Sequence, residues 1–358
     1  MATDDDGELG SRGMVPSRRR SRLAVPVWSI AASVVAMLVG AAHLCGACCC
    51  KGSRASSRRT ATVGHDGAVR SVAFRPDGAM IGSVGADGSI VTWDLESGLM
   101  RPMPSAGPEQ GRCAAFSPDG RLLAAGRAGG PIALYDLRAD QAHALIDPSA
   151  ATAGAKCVAF APDGRTLAVG QRDGRITLWD VATRRVRSEL SGHAEVVSSL
   201  AYSPDGATVA SSGGDRSVRL WDPATGRERR AIPGQPGMLV ALAFAPDGRT
   251  LALADQRSHA VRLWDLAAGV ERRALYGAEG SVLALAISPE GRTLAAADYH
   301  GAVHFWELAT GRLQWPRLEH AGVQTLAFAP DGRLLATGGF DGTIHLWDWP
   351  PHQEDEGD

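Results

Sequence analysis

The 358-residue chain has almost no net charge: 37 Lys and Arg against 39 Asp and Glu leave −2 at neutral pH. Without a global basic excess, nucleic acid is not expected as a partner. Cysteines number six, and four of them (Cys45, Cys48, Cys49, Cys50) crowd into one stretch, so the spaced framework of a disulfide-stapled secreted domain is absent. Cys45-x-x-Cys48 has no second ligand pair nearby, which argues against a metal there. Glycine is plentiful, at 43 residues, yet none forms a phosphate-cradling loop. No catalytic, cofactor-binding or metal-binding residue is therefore assigned.

Long apolar runs are also scarce, with one exception. Leu23–Leu44 carries no charge, and its residues would reach about 33 Å as a helix, against a hydrocarbon core of about 30 Å. The segment reads as a retained transmembrane helix over 23–44, with Trp28 at an interface. A cleaved signal peptide is the rival, but its apolar core is usually only about 7–15 residues. Arg12, Arg18, Arg19, Arg20 and Arg22 precede the segment, and Lys51, Arg54, Arg58 and Arg59 follow it. That bias of one charge leans toward a cytoplasmic N-terminus, a single-pass membrane location and an extracytoplasmic remainder. Residues 1–22 read as a solvated tail, 45–57 as a Cys-rich juxtamembrane linker open to S-acylation, and 350–358 as an acidic tail.

Most of the remaining sequence is a repeat. Pro-Asp-Gly, or Pro-Glu-Gly in the sixth copy, begins at Pro76, Pro118, Pro162, Pro204, Pro246, Pro289 and Pro330, at intervals of 41–44 residues. An aromatic-acid pair follows each: Trp93-Asp94, Tyr135-Asp136, Trp179-Asp180, Trp221-Asp222, Trp264-Asp265, Trp306-Glu307 and Trp347-Asp348. Cys113 and Cys157 fall five residues before the turn proline, where other copies place small residues, and read as buried filler. In the fourth copy, period-two patterning predicts strands over 196–202, 208–212, 217–221 and 228–232, separated by tight turns. Four short antiparallel strands per repeat make a propeller blade.

On these residues the chain resembles the WD-repeat (WD40) β-propeller family over 58–349. The resemblance implies an all-β, seven-bladed, monomeric propeller, with each blade locked by a His, a Ser or Thr, an Asp and a Trp. Three copies hold all four: His65, Ser83, Asp87 and Trp93; His193, Ser211, Asp215 and Trp221; His320, Thr337, Asp341 and Trp347. The carboxylate is expected to be buried, with imidazole, indole and hydroxyl donors around it. The other four copies depart from this set and are expected to rely more on apolar packing. The last copy stops before a fourth strand, and residues 58–63 (RRTATV) are expected to supply it, closing the ring as family members commonly do.

Partners of such propellers usually dock on the face carrying the loops between second and third strands. Arg172, Arg257, Tyr299 and Phe340 occupy those loops, with His300 and Tyr276 nearby, and Arg and aromatics are the types that dominate interfaces. The expected function is a non-catalytic, membrane-tethered scaffold for protein partners. Alternatives are a small-molecule or glycan-binding surface propeller, or a propeller hydrolase. For the hydrolase, Asp298-Tyr299-His300 is the only local cluster outside the repeat pattern.

Overall fold

A computed structural model describes residues 58–61, 65–104, 110–129, 132–138, 141–143, 154–232 and 234–350. The expected helix at 23–44, both tails and the linker lie outside these residues. Among the described residues no helix is long and apolar enough to cross a membrane.

The repeat folds as read. Seven four-stranded antiparallel sheets form, and six of them are four consecutive strands paired in chain order. The fourth copy shows the pattern: Val197–Tyr202, Val209–Gly213, Val218–Asp222 and Arg227–Ile232, each within a residue or so of expectation. First strands of successive blades touch one another all the way round, so they are innermost and the fourth strands form the rim. The seventh sheet is composite. Arg58–Ala61 pairs antiparallel with Ile344–Asp348, placing Arg59 opposite Leu346, so the first strand of the propeller completes its last blade.

Each strand position has its own physical logic. Second strands are sandwiched between neighbouring blades and are small and apolar, as in the fully buried Thr250–Asp255 (TLALAD) and Thr293–Asp298 (TLAAAD). The outer strands of blades three to five are strongly charged and mostly exposed, as in Arg227–Ile232 (RERRAI). Such charges discourage pairing of a free edge with another chain. Between first and second strands, the turn glycine takes positive φ (74° at Gly78, 71° at Gly206), which the absent Cβ permits. The preceding Asp accepts the N–H two residues on, at 3.0 Å for Asp77 to Ala79 and 2.9 Å for Asp205 to Ala207.

The core is not one mass but a series of inter-blade layers. Cys157, Ile176, Leu178 and Leu190 of blade three, for example, pack on Leu200, Val209 and Trp221 of blade four. Equivalent clusters fill every junction, including the one where Val72, Phe74 and Ile81 of blade one meet Ala336, Ile344 and Leu346 of blade seven. Cys113 and Cys157 are buried free thiols in these layers. Burial pushes the Cys113 thiol up to about 12 and raises that of Cys157 as well, which suits packing and not redox chemistry.

Candidate functional site

In blade four the polar residues form one connected chain. Trp221 Nε1 donates to Ser211 Oγ at 2.8 Å, and Ser211 Oγ lies 2.7 Å from His193 Nε2. His193 Nδ1 lies 3.0 Å from Asp215 Oδ2. Burial holds the His193 pKa below its usual value despite the attraction of Asp215, so the ring is neutral at pH 7. A neutral ring that donates through Nδ1 and accepts through Nε2 satisfies every member. Ser211 is fully buried, so its hydroxyl cannot meet a substrate. Blade one inserts a hydroxyl: His65 Nδ1 meets Ser89 Oγ at 2.5 Å, and Ser89 donates to Asp87 at 2.6 Å. Blade seven turns the ring over, with Nδ1 on Thr337 (2.8 Å) and Nε2 on Thr343 (3.0 Å), while Trp347 donates to Thr337 at 2.9 Å.

The carboxylates differ from expectation. Their side chains are 19%, 11% and 40% exposed at Asp87, Asp215 and Asp341, at the surface and not in the core. The reason is their second task. Asp215 accepts backbone N–H groups from Ala194 and Ser217, and so ties the loop entering the blade to the loop between its second and third strands. Such N–H groups lie at the surface, and the carboxylate must meet them there.

The four departing blades bury polar side chains beside their apolar layers, a feature the sequence reading did not anticipate. Where His is present, the second strand ends in Gly85, Gly213 or Gly339. A Cβ at Gly213 would lie 2.7 Å from His193 Nδ1, and one at Gly339 would lie 2.6 Å from His320 Nε2. Without the imidazole that space is open. Arg127, Gln171, Asp255 and Asp298 occupy the equivalent register positions, all at most 1% exposed. Asp298 binds His304 Nε2 at 2.8 Å and takes the N–H groups of His300 and Ala302. The Asp298-Tyr299-His300 cluster is therefore split. The carboxylate turns inward to His304, and the two rings turn outward, edge to face at 6.0 Å.

The loops between second and third strands cluster on one face. Arg172, Arg257 and His300 are exposed there, with Tyr299 at 58% and Phe340 at 49%. Tyr276, 71% exposed, leads from blade five into blade six, and its carbonyl accepts the Trp306 indole at 3.0 Å. Ser281 donates to Gln256 O (2.8 Å), and its own carbonyl accepts from Tyr299 N (2.9 Å), tying the loops of blades five and six. Phe340 is joined to blade one, with the Arg70 guanidinium 5.9 Å from its ring centre. Among the described residues no ring contact joins Phe340 to Tyr299.

Sequence reasoning missed a second set. Each innermost strand slips register against its neighbour at one residue: Arg70, Arg112, Lys156, Ser198, Val240, Leu283 or Gln324. A bulge re-aims a side chain. All seven are half-buried although each follows a buried residue, as befits the lining of a central channel. The signal was available, since every one stands six residues before its turn proline.

A family model described as Nucleolar protein 10-like, N-terminal domain, matches residues 62–260, more than half of the chain. The chain belongs to this family. The WD domain, G-beta repeat model matches 269–307 and 315–348. A search of the curated proteins finds no match. In this WD-repeat propeller each of the two matched repeats contains the outer strand of one blade and three strands of the next, as Val270–Leu275 with blade six shows. The sequence repeat is thus offset from the structural blade by one strand, and that offset leaves Arg58–Ala61 to pair with the last blade.

Proposed function

We propose that this propeller is a non-catalytic platform that captures protein partners on the face bearing Arg172, Arg257, Tyr276, Tyr299, His300 and Phe340, and that residues 23–44 tether it to a membrane. One observation carries the docking face: large aromatic side chains stand exposed on loops held rigidly by backbone hydrogen bonds. Aromatic anchors on a fixed frame lose little conformational entropy when a partner covers them. The loop backbones do not depend on these rings, so truncating them leaves the fold intact.

Proximity labelling in intact cells, with the label enzyme at the C-terminus, tests the face. Phe340→Ala with Tyr299→Ala should remove the strongest-labelled partners and weaken their direct binding roughly 30-fold, the usual scale for two anchors at about 1 kcal/mol each. Unchanged labelling at unchanged melting temperature would refute the assignment. The tether makes a separate prediction. Deleting 23–44 should move the chain from the carbonate-resistant membrane fraction to the supernatant, and a chain already in the supernatant with 23–44 present would show that no tether exists.

A further inference from the structure

The seven bulge residues lining the channel are not distributed evenly. Following the blades round, they run Arg70, Arg112, Lys156, Ser198, Val240, Leu283 and Gln324. One arc is cationic, the opposite arc apolar, and a single uncharged polar residue stands at each boundary. Among the described residues no carboxylate forms an ion pair with any of the three cations. Arg70 reaches Gln324 Oε1 at 3.2 Å and Arg112 reaches Gln110 Oε1 at 3.1 Å, both neutral acceptors. Arg70 Nε is buried without a hydrogen-bond partner. Lys156 is lowered in pKa first by burial and then by the charges of Arg112 and Arg70. Arg112 is lowered by burial and then by Arg70 and Arg172, the latter from the docking-face loop of blade three.

Like charges gathered in a half-buried place without counter-ions cost stability, and the natural compensation is an anion brought from outside. We infer that the mouth of the central channel is an anion site for a phosphoryl group, held by Arg70, Arg112 and Lys156. Three considerations select that chemistry. A phosphate monoester carries nearly two negative charges and three acceptor oxygens, which three neighbouring cations on consecutive blades can share, whereas a single carboxylate leaves most of their charge unanswered. The three cations share one register position on consecutive inner strands, so they can act on one bound group. The cations form a compact arc and not a stripe, which suits one phosphoryl group better than a nucleic-acid backbone. The site is carried by observations separate from the exposed aromatics, so either can fail alone.

The test uses the full chain with pyrophosphate, a phosphoserine peptide and its unphosphorylated counterpart, each matched to sodium chloride at equal ionic strength. Pyrophosphate at about one hundred times its Kd should raise the melting temperature by several degrees. Lys156→Met should melt higher than the parent without ligand, because a buried like charge is gone, and should lose the pyrophosphate response. Arg112→Gln should weaken pyrophosphate binding by about tenfold, the scale of one charge-assisted hydrogen bond. If the phosphoserine peptide binds and pyrophosphate displaces it, the phosphoryl group arrives on a partner chain. A response to pyrophosphate alone assigns the site to a free phosphate compound. The inference is overturned if neither probe exceeds the chloride control, if Lys156→Met with Arg112→Gln keeps the response, or if a single-stranded oligonucleotide binds through these residues while both probes do not.

Discussion

A propeller beginning at residue 62 should melt about 10 °C below one beginning at residue 58, and it should aggregate on heating where the longer chain does not. The four residues Arg58–Ala61 pair along Ile344–Trp347, and among the described residues no other strand pairs with that edge. Losing them removes about four residues of ladder, worth roughly 1 kcal/mol for each hydrogen bond. A loss of about 4 kcal/mol in a domain of this size lowers the melting temperature by about 10 °C. Aggregation follows for a different reason. The second and third strands of blade seven are almost wholly buried, and the uncovered strand offers unpaired N–H and C=O groups beside apolar side chains. Blades three to five protect the rim with strongly charged fourth strands, but blade seven relies on this borrowed one. Calorimetry and light scattering on the two chains decide the matter, and equal melting temperatures would mean that the closing strand contributes nothing.

The closing strand also shows what the sequence made legible. RRTATV alternates like a strand and has no local partner, and the seventh repeat lacks a fourth strand, so topology alone joined the two. Blade count, turn positions and the three complete polar sets followed equally from spacing. Two features did not. The exposure of Asp87, Asp215 and Asp341 depends on which backbone N–H groups need an acceptor, and residue type does not state that. The buried replacements at Arg127, Gln171, Asp255 and Asp298 were hidden because motif comparison looks for missing residues at the motif position. Here the compensation sits two residues earlier (three in blade five), where the complete blades have glycine. The cationic arc was hidden for a related reason: bulge residues break the period-two pattern that marks a strand, and the three cations lie too far apart in sequence to read as a cluster.

Of those replacements, Asp298 should have the largest measurable effect. Burial alone would raise its pKa, but the hydrogen bond from His304 and the N–H groups of Ala302 and His300 outweigh that and bring it down to about 2. A carboxylate held below its unfolded value stabilises the native state fully above the unfolded pKa of about 4, and that contribution is lost as pH falls from there through about 2. The shift corresponds to about 2 kcal/mol. Asp298→Asn keeps an oxygen for the two N–H groups but removes the charge, so it should be less stable by about 2 kcal/mol at pH 7 and converge with the parent near pH 2. His65 and His193 act in a different window. Burial lowers their pKa values, so their contribution is complete above the unfolded value of about 6.5 and declines as pH falls below it. Parent and variant should therefore fall together as pH drops below about 6.5 and differ in slope only below about pH 4. Asp298→Ala should do more damage, about 3 kcal/mol or greater, because it orphans His304, the buried Ala302 N–H and the part-buried His300 N–H at once. Urea unfolding across that pH range measures all three chains, and parallel curves for parent and Asp298→Asn below pH 4 would show that the fold does not hold the Asp298 pKa below its unfolded value.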